Sequence, residues 1–236
     1  MIMKLMFLLF SLSMITMNAY CGIMPSQSRI IYHEEDKEQS LMLANTNEYP
    51  VIVQTWIDRG EGNPETVNIP FISIPPVFRM EPSDIKGVRI IYNKDKLPDN
   101  KESLFWFNIY EIPPEKKESN PENSVLITMN TQIKLFFRPE TINTIPEEVV
   151  EKITCKKINN TNIECYNPSL IHLSVINLKI MTDDNKIKEV SGNDLILPPL
   201  SSKKLTIDAM HGSIKKMIVM YVNDNGEILE QTLSNR

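Results

Sequence analysis

Glycine is scarce in this chain, with seven residues in 236. That leaves no glycine-rich loop able to cradle phosphates. Histidine is scarcer still, and His33, His172 and His211 lie far apart. There is no Gly-x-Ser-x-Gly and no His-Glu-x-x-His motif. The chain therefore reads as a non-enzyme without cofactor or metal. Excess positive charge is also missing: the formal net charge is −5. Nucleic acid is accordingly not expected as a partner. Long apolar runs are absent beyond the start. Leu5 to Ile15 follows a short, weakly positive Met1 to Lys4 and precedes Ala19-Tyr20-Cys21. That run falls short of the roughly 20 residues a membrane helix needs, and its layout is that of a removable export signal over 1–21. Nothing later would insert into a membrane once it is cleaved. Tyr20, where a lipoprotein would carry a small residue, argues against lipid attachment at Cys21.

Cysteine is limited to three residues. A cut after Cys21, with Ala19 three residues before the break, leaves Cys155 and Cys165 as a pair. A cut after Ala19 would instead retain an odd thiol near the new terminus. A close pair in an exported protein normally oxidises. The two cysteines flank the polar turn Asn159 to Asn162, which suits a bridge across or beside a hairpin. With no histidine or further cysteine nearby, a metal site does not fit.

The rest of the chain is a succession of short alternating segments split by Asn, Asp, Gly and Pro clusters. Strand candidates are Arg29 to Tyr32, Gln39 to Asn45, Val51 to Asp58, Val67 to Ile74, Lys86 to Tyr92, Leu104 to Glu111 and Val125 to Phe137. A second set follows: Val149 to Lys156, Ile163 to Tyr166, Ile171 to Met181, Ile187 to Val190, Leu195 to Leu197, Lys204 to Ile207, Met217 to Val222 and Ile228 to Leu233. Such a pattern predicts an all-β protein with sandwich domains of about 100 residues each. The expected division is 22–140 for the first domain, 141–148 for a proline-bearing linker and 149–236 for the second.

One segment is unlike a strand built only for packing. Gln132-Ile133-Lys134-Leu135-Phe136-Phe137-Arg138-Pro139 is aromatic and β-branched, yet carries two cations. A strand-borne cation can catch a carboxylate while the adjacent backbone pairs with another chain. Upstream stand Ile74-Pro75-Pro76-Val77-Phe78-Arg79-Met80-Glu81-Pro82 and Ser103-Leu104-Phe105-Trp106-Phe107-Asn108-Ile109-Tyr110-Glu111-Ile112-Pro113-Pro114. In this order and spacing, the three segments resemble the PapD-like family of periplasmic pilus chaperones.

The resemblance implies two immunoglobulin-like sandwiches set at an angle around a cleft. It implies a periplasmic chaperone that caps pilus subunits by donor-strand complementation and delivers them to an outer-membrane usher. Val125, Ile127 and Met129 would supply the donor side chains, each contributing on the order of 1.5–3 kcal/mol when buried. The same apolar edge would let the free protein self-associate. Arg29 and Lys134 would anchor the subunit's terminal carboxylate. Glu102, Arg138 and Asp224 would link the domains. Ile52, Gln54, Pro75, Pro76 and Arg89 would face the usher.

The second half departs from the family pattern. Asn167-Pro168-Ser169-Leu170-Ile171-His172 replaces Asn-Pro-Thr-Pro-Tyr-Tyr, and Asn223-Asp224-Asn225-Gly226 replaces an aromatic-containing turn. The loop Pro113 to Asn123 lacks the cysteines of the family's long-loop subgroup, which favours short-loop behaviour. The alternative reading is a secreted Ig-like pilus subunit or adhesin.

Overall fold

The computed structural model describes residues 22–114, 127–191 and 195–234. The expected signal segment, Val125 and most of the loop after Pro113 lie outside them.

The first sandwich contains β1 (Ile23–Pro25), β2 (Arg29–His33), β3 (Gln39–Asn45), β4 (Val51–Asp58), β5 (Phe71–Ile74), β6 (Val77–Met80), β7 (Ile85–Tyr92), β8 (Ser103–Ile112) and β9 (Met129–Arg138). One sheet has the order β1-β3-β7-β5 and the other β2-β9-β8-β4-β6. The chain thus changes sheets between β1 and β2. Strand periodicity sends alternate residues inward: Ile30 and Tyr32, Leu41 and Leu43, Phe105 and Phe107, and Leu135 and Phe137 are buried. Between the sheets most aromatic rings pack edge-on or tilted, while Tyr32 stacks against Phe137. Phe71 lies 5.1 Å from Phe105 and Tyr92 lies 4.7 Å from Phe137. Such pairs add roughly 0.5–1.5 kcal/mol each beyond their buried area.

The second sandwich begins with α1 (Pro146–Val150), followed by β10 (Thr154–Asn159), β11 (Asn162–Asn167), β12 (Leu173–Thr182), β13 (Ile187–Ser191), β14 (Ile196–Leu197), β15 (Ser201–Ile207), β16 (Ile214–Val222) and β17 (Ile228–Ser234). The pairing order is β10-β11-β15-β13-β12-β16-β17, with β14 beside β12. Because β13 pairs with both β12 and β15, it ties the two layers together. The core is mainly aliphatic, built on Ile163, Ile171, Leu173, Ile180, Met217 and Val219. Cys155 and Cys165 lie directly opposite each other on β10 and β11 and form a disulfide.

Three expectations need correction. The strand expected from Val149 begins only at Thr154, because Pro146 opens a helical turn that buries Val149 and Val150. Proline suits the first helical position, and Glu147 and Glu148 suit the positive end of the helix. This turn also occupies the last part of the expected linker. The strand expected from Val67 starts at Phe71, since Pro70 supplies no ladder donor and Asn68 has a left-handed φ of 61°. Strand β6, which the prolines around it obscured, pairs with β4 at the sheet edge.

Candidate functional site

The site gathers where β9 leaves the protection of β2. These two strands run parallel, and Arg29 is in register with Lys134 at the start of their pairing. From Met129 to Ile133, β9 is paired with β8 on one side. On its other side β2 does not reach this far, and no other described strand covers it. A row of backbone donors and acceptors is therefore open to an incoming strand. The odd-numbered face of β9 is core at Leu135 and Phe137, and continues outward to Met129, which is 44% exposed; Ile127 just before the strand is 75% exposed.

The opposite face of the sheet carries the cations. Arg29 is only 7% exposed. Its Nη1 donates to the Val222 carbonyl in the second sandwich at 3.0 Å, and its guanidinium stands 5.7 Å from the Phe136 ring centre. Its Nε has no hydrogen-bond partner among the described residues. Burial pulls its pKa below the ordinary arginine value, against the opposing charges of Asp224 and Glu102. A buried charged group with an unmet donor is costly, and an incoming carboxylate would relieve that cost. Lys134 is half-buried, with its ammonium 5.6 Å from the Trp106 ring centre. Farther along the same face, Asn130 and Gln132 both donate to Oδ1 of buried Asn108. This amide ladder keeps the face beside the cations polar.

Arg138 is the satisfied counterpart of Arg29. Its Nε and Nη2 donate to Glu102 Oε1 at 3.1 and 2.9 Å, and its Nη1 donates to Asp224 Oδ2 at 2.6 Å. Burial disfavours the charged guanidinium, yet bonds and charge from Asp224 and Glu102 prevail and raise its pKa. Glu102 also reaches the second sandwich directly. Its backbone N–H donates to the Leu170 carbonyl at 2.8 Å, and its Oε2 accepts from the His172 backbone N–H. The Asn223 to Gly226 turn closes against β2: a Cβ on Gly226 would lie 2.6 Å from Ser28 Oγ. Beside this contact a cavity of about 580 Å³ opens between the sandwiches, lined by Arg29, Ile31, His33, Arg138, Ile142 and Asp224 among others. Lys134 does not line it.

The structure thus brings Arg29 and Lys134 together, and joins Glu102, Arg138 and Asp224. The residues expected to face the usher are less unified. Ile52 and Gln54 point from the outer face of the β4 sheet, whereas Arg89 points from the opposite sheet and pairs with Glu38 at 3.2 Å. Pro75 and Pro76 connect those sheets, with a cis Ile74–Pro75 peptide. Sequence reasoning missed the roles of Trp106, Asn108 and His172. For His172 the only signal was its place in a departure from the family pattern.

Residues 22–143 match the family described as pili and flagellar-assembly chaperone, PapD N-terminal domain. Residues 148–233 match pili assembly chaperone PapD, C-terminal domain. The chain belongs to the PapD-like pilus-assembly chaperones. Chaperone protein FimB/FhaD of Bordetella pertussis is 28% identical over 80% of this chain and 79% of its own. Chaperone protein LpfB of Salmonella typhimurium is 28% identical over 91% and 90%. The solved structure of the Pseudomonas aeruginosa CupB2 chaperone superposes with a TM-score of 0.75 at 27% identity, covering 90% of this chain and all (100%) of that one. This membership does not favour the alternative of a pilus subunit or adhesin. No helix among the described residues is long and apolar enough to cross a membrane.

Proposed function

We propose that this pilus chaperone captures subunits on the open edge of β9 and fixes their register by holding the terminal carboxylate between Arg29 and Lys134. The observation that carries the reading is the register itself. The two cations are paired at the start of β2, next to the free edge of β9. A carboxylate bound there would start a strand running along Ile133 to Met129. Ile127 and Met129, with Val125 beyond the described residues, would then fill the subunit's apolar groove. The loaded chaperone works in the periplasm after removal of 1–21 and passes its subunit to an outer-membrane usher. Ile52, Gln54, Pro75, Pro76 and Arg89 are the proposed contact.

The test is Arg29→Ala and Lys134→Ala, each assayed for folding and for protection of a co-expressed subunit. Removing one partner of a desolvated charge pair costs roughly 2–5 kcal/mol of binding. Both variants should fold and lose capture. Wild-type protection by both would remove the anchor from the account.

A further inference from the structure

We propose that His172 is a positioning residue of the subunit cleft: by holding Glu102 and packing on Phe136, it fixes the angle between the sandwiches and the placement of Arg29.

The Glu102 side chain is almost fully buried and its two oxygens are divided between the domains. Oε1 takes both bonds from Arg138 of its own sandwich. Oε2 takes two bonds from the other sandwich, from the His172 backbone N–H and from its Nδ1, each at 2.8 Å. An ionised carboxylate only accepts, so Nδ1 carries the proton of this bond. The imidazole is itself nine-tenths buried, with 9% of its side chain exposed. Its ring lies 5.6 Å from that of Phe136, the same ring over which the Arg29 guanidinium sits at 5.7 Å. His172 therefore touches both the inter-domain clasp and the support of the anchor.

The charged groups around it come from several elements. Glu102, just before β8, is in direct contact, and Arg138 of β9 lies beyond that carboxylate. Arg29 of β2 stands at the Phe136 ring, and Asp224, after β16, closes the network through Arg138.

The affinity part rests on the anchor reading, whereas the domain-angle part does not. The test uses the full mature chain with His172→Asn, which keeps a donor near the Nδ1 position, and His172→Phe, which keeps only a ring. Residual dipolar couplings report the relative orientation of the sandwiches. Binding is followed with a synthetic peptide of alternating valine and threonine, made as the free acid and as the C-terminal amide.

The wild type should hold one narrow orientation and prefer the acid peptide over the amide. His172→Asn should keep both. His172→Phe should broaden the orientation and bind the acid peptide roughly three- to tenfold more weakly. Equal couplings and equal acid-peptide binding in all three proteins would overturn the proposal. An acid preference undiminished in His172→Phe would leave the anchor standing while the part of His172 in placing Arg29 fails. Equal binding of acid and amide would instead fault the anchor, with the couplings still deciding His172.

Discussion

Two buried arginines divide the work at the centre of the molecule. Arg138 has its carboxylates, Glu102 and Asp224, within the chain. Arg29 has a carbonyl, an aromatic face and an unmet Nε. Removing Glu102 would leave Arg138 with part of its charge uncompensated. Glu102→Ala should therefore lower stability by roughly 3–5 kcal/mol, the usual result of breaking a buried pair, read as a fall in the unfolding midpoint in urea. Gly226 is constrained twice, by a φ of +83° and by Ser28 at 2.6 Å from any added Cβ. Gly226→Ala should cost roughly 1–2 kcal/mol from the backbone alone. Ser28→Gly in the same chain should recover only what the clash adds, as thermal unfolding of the single and double variants would reveal. Glu102, Arg138 and Asp224 were legible in the sequence because charged residues at these places fit a family arrangement. His172 was not, since its meaning depends on Glu102, 70 residues away.

At the scale of the element, β9 is the decisive strand. Its alternation was readable from residue types, because Ile133, Leu135 and Phe137 share a face as strand periodicity requires. Its partners were not, because the parallel neighbour β2 lies about a hundred residues earlier and strand order is a non-local outcome. Prolines misled in both directions: they concealed β6 and, at Pro146, started a helical turn across the end of the expected linker and the start of an expected strand. Ile127 lies on an exposed stretch. Ile127→Asp should leave the thermal unfolding of the chaperone unchanged while reducing self-association of the free protein and abolishing subunit capture. A large loss of stability would show that Ile127 packs inward. In the second sandwich, the disulfide closes a separation of 10 residues across β10 and β11. Replacing both cysteines by serine should lower stability by roughly 2–4 kcal/mol. Subunit binding at the first sandwich should remain, which a pull-down at low temperature can check.

The whole molecule consists of two sandwiches joined by a short connection and a buried polar clasp, with the cations placed at their junction. The all-β class was legible because short alternating runs recur along the entire chain. The angle between the domains was not, because it depends on Glu102, Leu170, His172 and Val222 meeting across the boundary. The proposed function makes that boundary a gauge that recognises where a subunit ends. The most direct test compares capture of one subunit with its natural free carboxyl terminus and the same subunit extended by two residues. The wild-type chaperone should bind the extended form roughly a hundredfold more weakly, and Arg29→Ala with Lys134→Ala should then make little further difference to it. Equal capture of both forms by the wild-type protein would contradict the carboxylate anchor.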